Sequence, residues 1–187
     1  MRALDRDDPI MRLARRHGLR LGVMGGAFDP IHIAHLVTAE EALIQFRLDE
    51  VIFMPTGIPP HKTRRLAPAE FRYLLVSVAT AAHPCFHVSR YEIDKGQVCY
   101  TVDTLEYLAE KLPSDAEVFF ITGADAVLDI LSWKNPTRVL ELCTLIAATR
   151  PGFDLSALTR SLAAQGSRLG IEGGIQDRVH VMEIPAL

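Results

Sequence analysis

His32 and His35 stand three residues apart, after Gly25-Gly26-Ala27-Phe28-Asp29-Pro30. That spacing stacks both imidazoles on one side of a first helical turn, where they can donate hydrogen bonds to phosphate oxygens. Glycines at a strand-to-helix turn admit positive φ and bring backbone N–H groups close to an anion, and the start of the helix adds positive potential. A triphosphate suits such a site. The chemistry expected is on a nucleotide, with Gly25, Gly26, Ala27, Phe28, His32 and His35 around its phosphates. Zinc ligation is the rival use of a histidine pair, but zinc takes at least three protein ligands and no third Cys, His or acidic residue is locally spaced for it. The other alternative makes both histidines helix caps, although polar rings at the mouth of a crevice are poor packing units. Asp29-Pro30 reads as a turn former.

Other side chains extend the pattern. Gly123-Ala124-Asp125 follows an apolar run, and its carboxylate is placed either to accept ribose hydroxyls or to cap a helix over residues 126–131. Trp133, the only tryptophan, lies between Ser132 and Lys134; its indole can pack on the surface or stack on a pyridine ring. Arg150, just past another apolar run, offers a bidentate fork to a mononucleotide phosphate or a partner in an ion pair. Lys62 belongs to a basic connection, residues 56–67, that is long for a purely structural loop and reads either as a mobile flap or as a solvated basic loop.

The elements that must position these groups alternate. Short apolar runs at 19–24, 50–54, 86–89, 117–122 and 144–149 read as strands, with longer amphipathic segments between them, the first a helix over 33–46. This predicts an α/β fold: a single Rossmann-like, doubly wound parallel sheet with helices on both faces. Ligands in such sheets bind beyond the carboxyl ends of the strands. Gly25, residues 55–62, Gly123 to Asp125 and Arg150 all fall there and should converge on one crevice.

With 187 residues, 49% of them hydrophobic, one core is the default, and residues 19–187 read as one domain. Residues 1–18, rich in Arg and Asp, read as a loosely held extension. A net charge of −3 supplies no general attraction for nucleic acid. Cys85, Cys99 and Cys143 show no Cys-x-x-Cys pairing, which with the lack of an apolar signal core fits a cytoplasmic protein. No apolar stretch of ~20 residues offers a membrane span.

Taken in order, the glycine and histidine run, Pro59-Pro60-His61-Lys62, the stretch ending Cys99-Tyr100-Thr101-Val102-Asp103-Thr104-Leu105, Phe120 to Asp125, Trp133 and Thr149-Arg150-Pro151-Gly152 resemble the bacterial nicotinate-nucleotide adenylyltransferases of the His-x-x-His nucleotidyltransferase superfamily. The resemblance spans roughly residues 19–187. It implies transfer of the adenylyl group of ATP to nicotinate mononucleotide, giving deamido-NAD and pyrophosphate, with Mg²⁺ bridging phosphates and His32 and His35 as catalytic residues. It further implies that Asp125 faces the ribose of ATP, that Tyr100, Thr101 and Trp133 frame the nicotinate, and that Lys62 serves the substrate. A homo-oligomer is compatible with it.

The sequence departs from that family at Ala27 for Thr, Ala34 for Gly, Lys95 for Arg and Cys99 for Ser. The family's second signature, Ser-Ser/Thr-x-x-Arg, which contacts ATP phosphates, does not occur through Leu187. Two rival readings are a pantetheine-phosphate adenylyltransferase, against which the Tyr100-Thr101 and Trp133 segments argue, and a catalytically impaired nucleotide-binding module.

Overall fold

The computed structural model describes residues 7–59, 66–150, 152, 154–169 and 175–185. Six strands, β1 Arg20–Gly26, β2 Glu50–Pro55, β3 Phe86–Val88, β4 Glu117–Gly123, β5 Thr144–Thr149 and β6 Val179–Glu183, form one sheet in the order β3-β2-β1-β4-β5-β6. Every neighbouring pair is parallel. The expected doubly wound α/β sheet is therefore present. It has one strand more than the sequence pattern gave: β6 lies at an edge and buries only Val179 and Met182, so it shows neither a continuous apolar run nor strict alternation.

Side chains alternate across the sheet with the period of two that a pleated strand imposes. Leu21, Val23, Ile52, Met54, Phe120, Leu145 and Ala147 enter one core, while Met24, Val51, Phe53, Phe119, Ile121 and Ile146 enter the other. Burial on both faces makes β2 a continuous apolar run apart from its first residue. The second core is closed by α2 Ile33–Gln45 through Ala39 and Ala42, and by α3 Ala69–Thr80 through Val76. The first is closed by α5 Thr101–Lys111, α7 Pro136–Leu142 and α8 Leu155–Leu169, following the short α4 Tyr91–Lys95 and α6 Ala124–Leu128. Ala126 to Leu131 is not one helix: α6 ends at Leu128 and a 3₁₀ turn, Ile130–Ser132, follows.

The N-terminal segment is not loosely held over its described part. Helix α1, Pro9–Leu13, buries Ile10 and Leu13 completely or nearly so in the first core. Its cap, Asp8, accepts hydrogen bonds from Ile10 N–H, Ser89 Oγ and Arg90 N–H. Two apolar side chains spaced three apart and one buried carboxylate anchor a stretch whose many charges suggested solvent.

Strand order reverses between β1 and β4, whose chains leave the sheet toward opposite faces, and a crevice opens there at the carboxyl ends. Among the described residues no helix is long and apolar enough to cross a membrane.

Candidate active site

Two cavities open at this switch point and share Gly25 and Thr122, the ends of β1 and β4. The smaller, about 420 Å³, is lined by His32, Ala34, His35, Asp125 and Arg150 among others. The larger, about 790 Å³, is lined by Glu92, Tyr100, Thr101, Trp133 and Lys134 among others. Gly25 lies between them, and a side chain there would crowd the Phe120 ring: a Cβ would stand 3.2 Å from it, so the ring would have to give. Gly26 lines only the larger cavity.

The expectation of left-handed glycines is not met. Gly25 and Gly26 are the last two residues of β1, still paired with Met54 and Pro55, and the residue with positive φ is Phe28, at 47°. The chain turns two residues after the second glycine. Phe28 is buried, with its ring edge-on to His35 at 5.1 Å and tilted against Phe53 at 5.9 Å. Ala27 and Phe28 line neither cavity; Phe28 acts as a support beneath the histidine.

His32 is the N-cap of α2 and His35 lies in its first turn. Their ring centroids lie 3.8 Å apart with the planes tilted by 30°, and His32 N–H donates to His35 Nδ1 at 3.2 Å. Burial, reinforced by the neighbouring His32, pushes the His35 pKa down to about 4. A neutral ring whose Nδ1 accepts carries its proton on Nε2. His35 is thereby fixed as an Nε2–H donor lining the smaller cavity.

Arg72, 1% exposed, is the hub behind this turn. Its guanidinium donates to the carbonyls of Ala27 at 2.5 Å, Thr56 at 2.7 Å, Ala67 at 3.0 Å and Gly57 at 3.3 Å. Burial draws its pKa down, opposed by Asp29. One cation thus ties the turn after β1 to the chain after β2. Gly57 in turn lies against the Glu92 carbonyl, 2.4 Å from where a Cβ would be, so the loop after β2 rests on α4.

Glu92 is buried on the wall of the larger cavity, accepts from Thr104 Oγ1 at 2.8 Å, and is pushed up to about 7 by burial, against the hydrogen bonds of Thr104 and Thr56. Tyr100 caps α5, and its N–H already donates to Asp103 Oδ2 at 3.0 Å. Of the expected Tyr100-Thr101 backbone pair, Thr101 is the member left to face a ligand. Trp133 is half-buried, edge-on to Phe120 at 6.1 Å.

At two positions the local geometry differs from what the spacing suggests. Gly123, not Asp125, is the N-cap of α6, so the capping alternative for Asp125 falls away and its exposed carboxylate faces the histidine cavity. Arg150 also lines that cavity and not the one with Trp133, because β5 ends beside Gly123 on the histidine side. Lys62 lies outside the described residues. Of the departures, Ala34 lines the smaller cavity and Cys99 the larger, where burial raises its thiol pKa. Arg72, Glu92 and Lys134 were not singled out from the sequence.

The cytidylyltransferase-like family matches residues 23–183. A relative from Moorella thermoacetica named "Probable nicotinate-nucleotide adenylyltransferase" is 48% identical over 178 residues, 95% of this chain and 79% of its own. One of the same name from Corynebacterium kroppenstedtii is 48% identical over 169 residues, 90% of this chain and 74% of its own. Among solved structures, Plasmodium falciparum nicotinic acid mononucleotide adenylyltransferase complexed with NaAD shares the fold, with a TM-score of 0.66 at 17% identity, covering 90% of this chain and 77% of that chain. Near-half identity along almost the whole chain, on a parallel sheet with paired cavities at its switch point, makes this chain a member of the cytidylyltransferase-like family and, within it, of the nicotinate-nucleotide adenylyltransferases.

Proposed function

We propose that the histidine cavity takes ATP, that the tryptophan cavity takes nicotinate mononucleotide, and that the adenylyl group passes between them across Gly25. The observation that carries this reading is the shared floor: the two cavities meet at Gly25 and Thr122, side by side at the ends of β1 and β4, and Gly25 brings no side chain between them. An oxygen of the mononucleotide 5′-phosphate attacks the α-phosphorus of ATP, the bond from that phosphorus to the β-phosphate oxygen breaks, and pyrophosphate leaves with the electron pair. Such a transfer asks the protein for alignment and charge stabilisation, not for a nucleophile.

Each wall has a task in this reading. His35 donates from Nε2 to the phosphate chain, and His32 contacts the same chain from the start of α2. Arg150 adds a cation at the same cavity, and Asp125 accepts the hydroxyls of the adenosine ribose. Trp133 stacks on the pyridine ring while Thr101 N–H faces its carboxylate, and Lys62 serves the substrate. Among the described residues no three His, Cys, Asp or Glu side chains converge to hold a metal. The divalent ion, Mg²⁺ in this reading, would be carried with the triphosphate, as Mg²⁺ commonly is on nucleotides, and would offset its charge.

A coupled pyrophosphate-release assay tests the reading. ATP, Mg²⁺ and nicotinate mononucleotide should give turnover well above that with phosphopantetheine; phosphopantetheine ranking first would sink it.

A further inference from the structure

Nicotinate and nicotinamide mononucleotides differ at one group, a carboxylate against a neutral carboxamide. Positive charge at the ring end of the cavity would favour the carboxylate beyond what a neutral N–H donor such as that of Thr101 supplies. Among the described residues lining the larger cavity, the titratable anions are Glu92 and Asp129, and the one basic side chain is Lys134. It follows Trp133 directly in the chain.

The Lys134 ammonium is not a loose surface charge. It lies over the Tyr100 ring, 4.6 Å from its centroid, and donates to Asp103 Oδ1 at 3.0 Å. The other oxygen of Asp103 holds Tyr100 N–H. One carboxylate therefore fixes the start of α5 and the lysine together, so the ammonium stands beside Thr101 at the cavity wall. An ammonium has three donors, and the single bond to Asp103 leaves others for an incoming anion.

We propose that Lys134 is a specificity-determining residue that selects the carboxylate-bearing mononucleotide over its carboxamide analogue; this rests on the assignment of the larger cavity to the mononucleotide. The ammonium bonds the ring carboxylate directly. A neutral carboxamide oxygen accepts the same donor more weakly, because it lacks the Coulombic attraction between opposite unit charges in contact that the carboxylate adds. Asp103 balances the lysine at long range, so discrimination acts at contact distance and not through a general field.

The test is kcat/KM for nicotinate and nicotinamide mononucleotides with wild-type protein, K134M and K134R. Methionine keeps the stem over Tyr100 and removes the charge; the side chain is half exposed, so the fold should survive. K134M should lower kcat/KM for the acid by about tenfold or more, the range of one charge-assisted hydrogen bond, and leave the amide within about twofold. K134R should keep the preference. A wild-type preference that K134M leaves unchanged, or a K134M loss equal for both substrates, overturns the role of Lys134 alone. Wild-type protein that turns over neither mononucleotide overturns it together with the cavity assignment.

Discussion

His32 presents its backbone N–H to Nδ1 of His35 at 3.2 Å, so the N-cap of α2 fixes the tautomer of the histidine one turn along. The bond needs a bare Nδ1 and leaves the proton on the far nitrogen. Without it the ring would be free to present either edge to the phosphate chain.

Titration of His35 followed by ¹⁵N NMR should show an Nε2–H tautomer with a midpoint at about 4. Added ATP should move the midpoint up, since nearby negative charge favours the imidazolium. The folded value lies below the ordinary 6.5, so the unfolded chain binds the proton more readily, and this residue's contribution to stability is lost as pH falls from 6.5 toward 4. Replacing His35 by alanine should lower kcat by about 100-fold with a smaller change in KM, as removal of a positioned transition-state donor does. A midpoint near the ordinary value would remove the basis for the tautomer assignment.

Substituting Arg72 by methionine leaves the carbonyls of Ala27, Thr56, Gly57 and Ala67 without this donor. Urea unfolding should show a loss of about 3–5 kcal/mol, the scale for breaking a buried charged network. Lysine keeps the charge but cannot fork to the same carbonyls, so R72K should stay folded yet lose kcat more than KM for ATP. Equal wild-type and R72K turnover would show that the turn after β1 holds its shape unaided.

For Glu92 the sign runs the other way. Its folded value of about 7 exceeds the ordinary 4.5, so the fold prefers the protonated acid, and that stability is present below 4.5 and lost as pH rises through 7. Glu92→Gln, neutral throughout, should gain stability relative to wild type between about pH 5 and pH 8, read as a difference in Tm. A Tm difference independent of pH would show that Glu92 is not buried as an acid.

Ile10→Ala should cost about 2–5 kcal/mol, as for a buried aliphatic truncated in a close-packed core. Thermal unfolding would check it; a change below about 0.5 kcal/mol, typical of surface substitutions, would return the segment to the loose extension that its charges suggest.

Sequence pattern carries β2 well, because burial on both faces leaves a nearly unbroken apolar run, and it carries the histidine pair because helical spacing alone puts the rings together. Arg72 is invisible for a physical reason. Its helix exposes Phe71, Leu74 and Val78, the last 76% accessible, and buries a cation, the reverse of ordinary amphipathic order; its partners are backbone carbonyls, which any residue type supplies. The side of the crevice that receives Arg150 depends on which strand end lies next to β5, a matter of sheet order. The Asp103 bond to Tyr100 was within reach, since an acidic residue three positions after a cap is a recognised signature of a helix start.

The histidine cavity takes His32 and His35 from the first half of the chain and Asp125 and Arg150 from the second. On the ribosome these arrive far apart in time: at ~5–20 residues per second the arginine emerges roughly 6–23 s after His35. A nascent chain therefore exposes its histidine turn long before it can grip a nucleotide, and ATP cannot template the early stages of folding. Once the sheet is closed the same ligand bridges both halves, so it should protect the finished protein against proteases as one unit.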